Sequence, residues 1–148
     1  MDGQGRIRFG YKGDGEQLEW HVIHLTTYSA PPEYLSFLRD QRIPYLLAGE
    51  GRVDLAESLA KLGQKLGVRT VMTGSGGKLG GALVRAGLVD EIYVSFHPVV
   101  VGGFQTPTLF SSPDVNPPDI LPTRLTLLAA EVLANGVVTL RYRVLPEG

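Results

Sequence analysis

The spacing of apolar residues changes along the chain, and these changes predict alternating strands and helices. Apolar runs at 21–25 and 45–48 predict short strands, and residues 33–39, which follow two prolines, repeat their apolar side chains at helical spacing. Asp54 is a good N-cap for a second helix, and four leucines recur on one face of that helix: Leu55, Leu59, Leu62 and Leu66. Because parallel neighbours need crossover connections of this length, we expect a largely parallel sheet.

A glycine-rich turn joins a predicted strand to a predicted helix in the middle of the chain. The strand is expected at 70–72, the turn at 73–78 and the helix at 79–87, and a further strand is expected at 88–98. A glycine turn ahead of a helix presents free backbone N–H groups and the positive end of the helix dipole, which suits a phosphate group. The candidate site is therefore this turn.

The last third of the chain predicts a loop and a hairpin. Residues 102–122 contain five prolines together with glycines and serines, which is typical of a long irregular loop. The apolar segments 125–133 and 137–145 then flank Asn135 and Gly136, a dipeptide that favours a tight hairpin turn. Alternation in the second segment predicts one face on the core and one toward water.

The composition excludes several classes of function. The chain has 148 residues, of which 43% are hydrophobic and 20% charged, and this predicts a single domain, 1–148, with a sizeable core. The absence of cysteine excludes disulfides, thiol catalysis and cysteine-ligated zinc. A net charge of -1 gives no basic field, so we expect no nucleic-acid partner. Because no apolar stretch has the length of a signal peptide or a membrane span, we expect a cytoplasmic protein without a membrane partner.

Histidines and acidic residues do not form a predicted metal site. His21 and His24 are three positions apart in a predicted strand, so their side chains should point to opposite faces. Asp90 and Glu91 open a predicted strand, and we interpret them as structural residues that bond the backbone or a neighbouring element. His97 precedes a proline at a strand end, where a histidine more often bonds loop backbone than transfers protons.

Three consecutive segments resemble the reductase domain of riboflavin biosynthesis, the dihydrofolate-reductase-like domain of the bifunctional deaminase-reductases. They are 76–83, which reads Gly-Gly-Lys-Leu-Gly-Gly-Ala-Leu, then 85–91 and 97–103, in family order and at nearly family spacing. The resemblance implies an α/β fold with a mostly parallel sheet, flanking helices and a C-terminal antiparallel hairpin. It also implies hydride transfer from NADPH to C1 of a small-molecule substrate, a ribosylamino-pyrimidine 5′-phosphate.

The resemblance also implies roles for the residues of the glycine turn. It assigns the cofactor phosphate to the following residues: Gly76, Gly77, Lys78, Leu79, Gly80, Gly81 and Ala82. The alternative is that these glycines permit close packing, and Lys78 could equally be a solvated lysine. Gly74 stands where many family members carry an acidic residue that contacts the substrate's pyrimidine. No catalytic residue is identified.

The resemblance covers nearly the whole chain, but it does not cover the N-terminal part of the family domain. Residues 2–6 look like a family segment that lies well inside that domain, and Gly3 stands where the family has a serine beside the cofactor. No counterpart of the family's first strand precedes them, so we expect an N-terminally truncated domain.

Two functions stay open: an NADPH-dependent reductase, or an impaired remnant that acts as a nucleotide-binding or oligomerisation module. An uncovered strand edge would favour a homodimer.

Overall fold

Three helices and five strands are present in the computed structural model, which describes Gln4, Arg6 and residues 22–103, 105–111 and 122–146. In chain order they are β1 (His24–Thr26), α1 (Pro32–Asp40), β2 (Tyr45–Leu47), α2 (Leu55–Leu66), α3 (Gly77–Arg85), β3 (Glu91–Phe96), β4 (Leu125–Val132) and β5 (Val138–Val144). They fall into two compact units, Met1–Val71 and Met72–Gly148. The single domain expected from the length stays a prediction.

The first unit is built on a parallel pair of strands. β1 and β2 pair from His24 opposite Tyr45 to Thr26 opposite Leu47, and α1 is the crossover between them. Proline at the first position of α1 suits the helix start, because its missing N–H would have no intrahelical partner there. Tyr34 and Leu38 of this helix are fully buried, and the Tyr34 hydroxyl lies 2.7 Å from Nδ1 of His24. The helix is therefore tied to β1 by a buried polar contact as well as by apolar packing.

Two charged residues of α2, Glu57 and Lys61, bind the backbone at the end of β2 and just after it. Lys61 Nζ donates to the carbonyl oxygen of Leu47 at 2.7 Å and to Glu57 Oε1 at 2.6 Å. Glu57 Oε2 accepts from the N–H of Gly49 at 2.8 Å, and its Oε1 accepts from the hydroxyl of Tyr28 at 2.6 Å. Hydrogen bonds from Lys61, Tyr28 and Gly49 lower the pKa of Glu57 to about 2. We call Tyr28, Glu57 and Lys61 the α2 clamp.

The start of α2 and the loop before it have the conformations that the sequence predicts. The Asp54 side chain accepts from the N–H of Glu57 at 2.8 Å, so Asp54 is the N-cap. Gly49 has φ +73, and a Cβ atom there would lie 2.3 Å from the carbonyl oxygen of Arg52. Glycine is therefore required at position 49, both for its dihedral angle and for space.

The second unit contains α3 and an antiparallel sheet of three strands in the order β3-β5-β4. The β4–β5 hairpin turns at Asn135 and Gly136, as predicted, and Gly136 has φ +78. Leu83 of α3, Ile92 of β3 and Val137 before β5 are buried. β4 lies at the sheet edge, and all eight of its residues are exposed.

The α/β fold class, the flanking helices and the C-terminal antiparallel hairpin are confirmed. Parallel pairing within the described residues is confined to β1 and β2, and β3 pairs antiparallel with β5. The described parts of the loop at 102–122 contain no helix or strand, as expected. His21 and Gly3 lie outside the described residues.

The strand expected at 70–72 is not formed. Residues 69–76 have no regular secondary structure and are exposed, and Met72 exposes 93% of its surface. A strand needs a neighbour that accepts its backbone hydrogen bonds, and no described strand pairs with this segment. The local β propensity of the segment therefore has no tertiary support. Helix α3 begins at Gly77, two residues before the position that the sequence predicts.

The lowered pKa of Glu57 predicts a pH dependence of stability. The ionised carboxylate stabilises the fold fully above the ordinary pKa of 4.5, and this contribution is lost as the pH falls toward about 2. We expect Glu57→Gln to lower the melting temperature at pH 7 and to reduce the further decrease between pH 4.5 and 2. Thermal unfolding followed by circular dichroism measures both. Glu33→Gln is the control, because Glu33 is also in the first turn of a helix, is exposed, and its side chain makes no hydrogen bond with the other described residues. An acid-induced decrease in Glu57→Gln equal to that of the unmodified chain would contradict the prediction.

Candidate functional site

The N-terminus of α3 presents unused backbone donors. Gly76 is the N-cap residue, and its carbonyl oxygen accepts from the N–H groups of Leu79 at 3.2 Å and Gly80 at 3.4 Å. The N–H groups of Gly77 and Lys78 have no acceptor within the described part of the chain. The first turn has no acidic side chain, so the positive end of the helix dipole is not compensated there. Two open donors and this dipole are suited to an anion.

The turn ahead of α3 is exposed and sterically open. A Cβ atom at Gly74 or Gly76 would meet no atom within 4 Å. Gly76 has φ -59 and ψ 166, a conformation that any residue adopts, so its backbone does not require glycine. Ser75 donates its N–H to the hydroxyl of Thr73 at 3.3 Å, and the two hydroxyl oxygens lie 2.7 Å apart. An incoming group can therefore approach the backbone at 74 and 76 without displacing a side chain.

Gly77 and Gly81 have a different environment, because residues 108–111 lie directly against them. A Cβ atom at Gly77 would be 2.4 Å from the carbonyl oxygen of Thr108, and one at Gly81 would be 2.5 Å from that of Ser111. The N–H of Ser111 also donates to the carbonyl oxygen of Gly77 at 3.0 Å. Close packing, the alternative interpretation of these glycines, therefore accounts for both positions.

The predicted cofactor residues lie together on the first two turns of α3, but they differ in access. Lys78 and Ala82 are exposed, Leu79 and Gly80 are half-buried, and Gly81 is buried. The N–H groups of Leu79 and Gly80 are already bonded to Gly76, so a bound anion would use those of Gly77 and Lys78. The cofactor role of all seven residues stays a prediction.

Other residues named from the sequence lie elsewhere in this unit. Glu91 pairs with Arg141, whose Nη2 lies 2.8 Å from Oε2 of Glu91, and this contact lowers the pKa of Glu91. The backbone carbonyl of Asp90 accepts from the N–H of Val144 at 2.9 Å. His97 is exposed, and its carbonyl oxygen accepts from the N–H of Val99 at 2.8 Å. The contacts of Asp90 and Glu91 join the start of β3 to β5, and the contact of His97 lies in the loop after β3.

A cavity of about 310 Å³ lies at the opposite end of α3 from the glycine turn. Its lining includes Val84 and Gly87 from the end of the helix, Asp90, and Arg143 of β5. Since nine helical residues span roughly 13 Å, this cavity is separate from the candidate phosphate site. The described residues contain no group of three metal-ligating side chains, and none of the described helices is long and apolar enough to cross a membrane.

The order of these segments matches a known family. A family model described as the RibD C-terminal domain matches residues 16–139, which is more than half of the chain. The chain belongs to the RibD C-terminal domain family. The match spans both the glycine turn and most of the C-terminal hairpin, and it confirms the resemblance noted in the sequence.

Two curated relatives carry the name 2,5-diamino-6-ribosylamino-4(3H)-pyrimidinone 5′-phosphate reductase. The protein from Methanothermobacter thermautotrophicus is 40% identical over 81 residues, which are 55% of this chain and 37% of that protein. The protein from Aquifex aeolicus is 33% identical over 88 residues, which are 60% of this chain and 39% of that protein. The chain therefore aligns with well under half the length of these relatives.

Solved structures share the fold. A pyrimidine reductase-like protein from Corynebacterium diphtheriae has a TM-score of 0.68 at 20% identity, with 84% of this chain and 50% of that chain covered. RibD from Acinetobacter baumannii has a TM-score of 0.63 at 18% identity, with 84% of this chain and 31% of that chain covered. At these identities the likeness concerns the fold alone.

The contrast between Gly80 and Gly81 can be tested by adding one methyl group. Gly81→Ala should destabilise the chain by about 1–3 kcal/mol, because the new Cβ collides with a backbone oxygen that a rotamer change cannot move. Gly80→Ala should be neutral or stabilising by up to about 1 kcal/mol, since alanine is the better helix former. Its Cβ would lie 3.4 Å from the Phe110 ring, an ordinary contact. Urea unfolding measures both free energies, and equal values for the two variants would contradict the packing assignment.

Proposed function

We propose that the chain is a reductase domain that uses NADPH to transfer hydride to C1 of a ribosylamino-pyrimidine 5′-phosphate. The observation that carries this proposal is the family match over residues 16–139. The matched region includes the glycine turn, which lies at the exposed N-terminus of α3. The names of the curated relatives support the same substrate class. The reduction chemistry belongs to the cofactor, so the protein's task is to bind and orient its two reactants.

The residues at the start of α3 fit a cofactor phosphate. The N–H groups of Gly77 and Lys78 would donate to phosphate oxygens, and the missing side chain at Gly76 would let the phosphate reach the backbone. The Lys78 ammonium could add charge, because this side chain is exposed on the first turn. Gly81 would contribute indirectly, by admitting residues 108–111 against the helix.

A second candidate function is a catalytically impaired nucleotide-binding or oligomerisation module. Gly74 favours it, since a hydrogen atom replaces the acidic side chain expected to contact the pyrimidine. The exposed strand β4 favours self-association, because Leu127 and Val132 expose 52% and 78% of their surfaces on an edge that pairs with no other described strand. We include a homodimer in both candidate functions.

Gly76→Val tests the phosphate site. The valine side chain would occupy open space and block the approach of a phosphate to the backbone, so we expect NADPH affinity to fall at least tenfold, by about 1.4 kcal/mol or more. The fold should be kept, with a loss of no more than about 1 kcal/mol from the changed N-cap. Calorimetric titration measures the affinity. Gly51→Val is a matched control, because Gly51 also meets no atom within 4 Å and has no predicted role. Unchanged affinity in Gly76→Val would show that the phosphate site is misassigned.

Gly74→Glu tests the substrate side. We expect the 148-residue chain to reduce the ribosylamino-pyrimidine phosphate very slowly, because Gly74 offers no side chain to the pyrimidine. A carboxylate there has room, and one charged hydrogen bond contributes about 1.5–3 kcal/mol, so kcat/KM should rise roughly ten- to hundredfold. NADPH oxidation at about 340 nm follows the reaction, and Gly51→Glu controls for the added charge.

Fast turnover of the unmodified chain would contradict this expectation. A kcat of about 1 s⁻¹ or more is a typical enzyme rate. Light scattering in the same solution would then decide whether a partner subunit completes the site, since a homodimer has twice the 16.0 kDa mass of one chain.

A further inference from the structure

Residues 105–111, which we call the strap, meet α3 through backbone groups at Gly77 and Gly81 and through the Phe110 ring at Gly80. The N–H of Ser111 donates to the carbonyl oxygen of Gly77, and the carbonyl oxygens of Thr108 and Ser111 lie over Gly77 and Gly81. Apolar anchoring is slight, because Leu109 exposes 62% of its surface and Phe110 exposes 40%. A segment with few buried apolar contacts opens at a small fraction of the cost of global unfolding.

A turn with a glycine in an unusual backbone conformation lies at the start of the strap, where a hinge would be placed. Gly103 has φ +129, which side-chain-bearing residues rarely adopt. The hydroxyl of Thr106 donates to the carbonyl oxygen of Gly102 at 3.0 Å, and its N–H donates to that of Gly103 at 3.3 Å. The turn is thus closed by its own local bonds. Neither of these bonds involves α3, so both can persist when the strap leaves the helix.

We propose that the strap opens and closes on α3 as a unit, and that Gly81 is the positioning residue that permits its closed state. In the closed state Ser111 holds the carbonyl of Gly77, the helical residue next to the exposed turn. Closure thus fixes the donors at the start of α3. A ligand that needs those donors stabilises the closed state, and this second part rests on the proposed cofactor site.

Amide hydrogen exchange of the whole chain tests the strap itself without any ligand. The Ser111 amide should exchange at least tenfold faster than the amides of the central strand β5, because it opens without global unfolding. Gly81→Ala should accelerate that exchange at least tenfold further, while the β5 amides stay protected. Gly80→Ala is the control and should not accelerate exchange at the Ser111 amide, because its Cβ atom would lie at an ordinary contact distance, 3.4 Å, from the Phe110 ring of the strap. Exchange of Ser111 at the rate of β5, or equal rates in the two variants, would overturn the proposal.

NADPH then tests the coupling. In the unmodified chain, saturating NADPH should slow the exchange of Ser111 at least tenfold, and Gly81→Ala should bind NADPH more weakly than Gly80→Ala. NADPH that binds by calorimetry without slowing this exchange would overturn the coupling and leave the proposed function standing. No NADPH binding to the unmodified chain would instead refute the proposed cofactor site, while exchange without ligand still decides whether the strap opens.

Discussion

The close approach of residues 108–111 to α3 is the constraint on which the candidate site depends. Two backbone oxygens lie too close to the positions that Cβ atoms at 77 and 81 would take, so the contact exists only because both residues are glycine. This contact holds the first turn of α3 from the side. The N–H groups of Gly77 and Lys78, in the same turn, have no acceptor in the described part of the chain. Packing thus uses Gly77 and Gly81 of the helix, whereas the open glycines, Gly74 and Gly76, lie in the turn before it.

This division separates two interpretations that the sequence alone leaves together. A glycine needed for a backbone contact and a glycine needed for a phosphate look the same in a sequence, since both simply lack a side chain. The structure distinguishes them by what surrounds each position. Gly74 and Gly76 face open space, whereas Gly77 and Gly81 face a neighbouring backbone. The spacing of Gly77 and Gly81 at i and i+4, on one helix face, was the available signal for the packing role.

Elements with strong local signals could be predicted, and elements that depend on distant partners could not. Asp54 caps α2, and Asn135 with Gly136 turns the hairpin, because cap and turn preferences act within a few residues. The segment at 70–72 has local β character but no described neighbour to pair with, so its strand is not formed. The α2 clamp was likewise missed, since Tyr28 lies 29 positions from Glu57 and no local pattern joins them.

The α2 clamp shows how a parallel pair of only three residues per strand can be held. So few backbone hydrogen bonds give little stability on their own, and parallel pairs are slightly weaker than antiparallel ones. Lys61 and Glu57 bind the carbonyl of Leu47 and the N–H of Gly49, so α2 uses the backbone groups with which β2 ends. Charge-assisted hydrogen bonds are about twice as strong as neutral ones. Helix α3 differs in this respect, because the N–H groups of Gly77 and Lys78 at its start have no acceptor among the described residues. Such open donors are what the phosphate site proposed at this helix start requires.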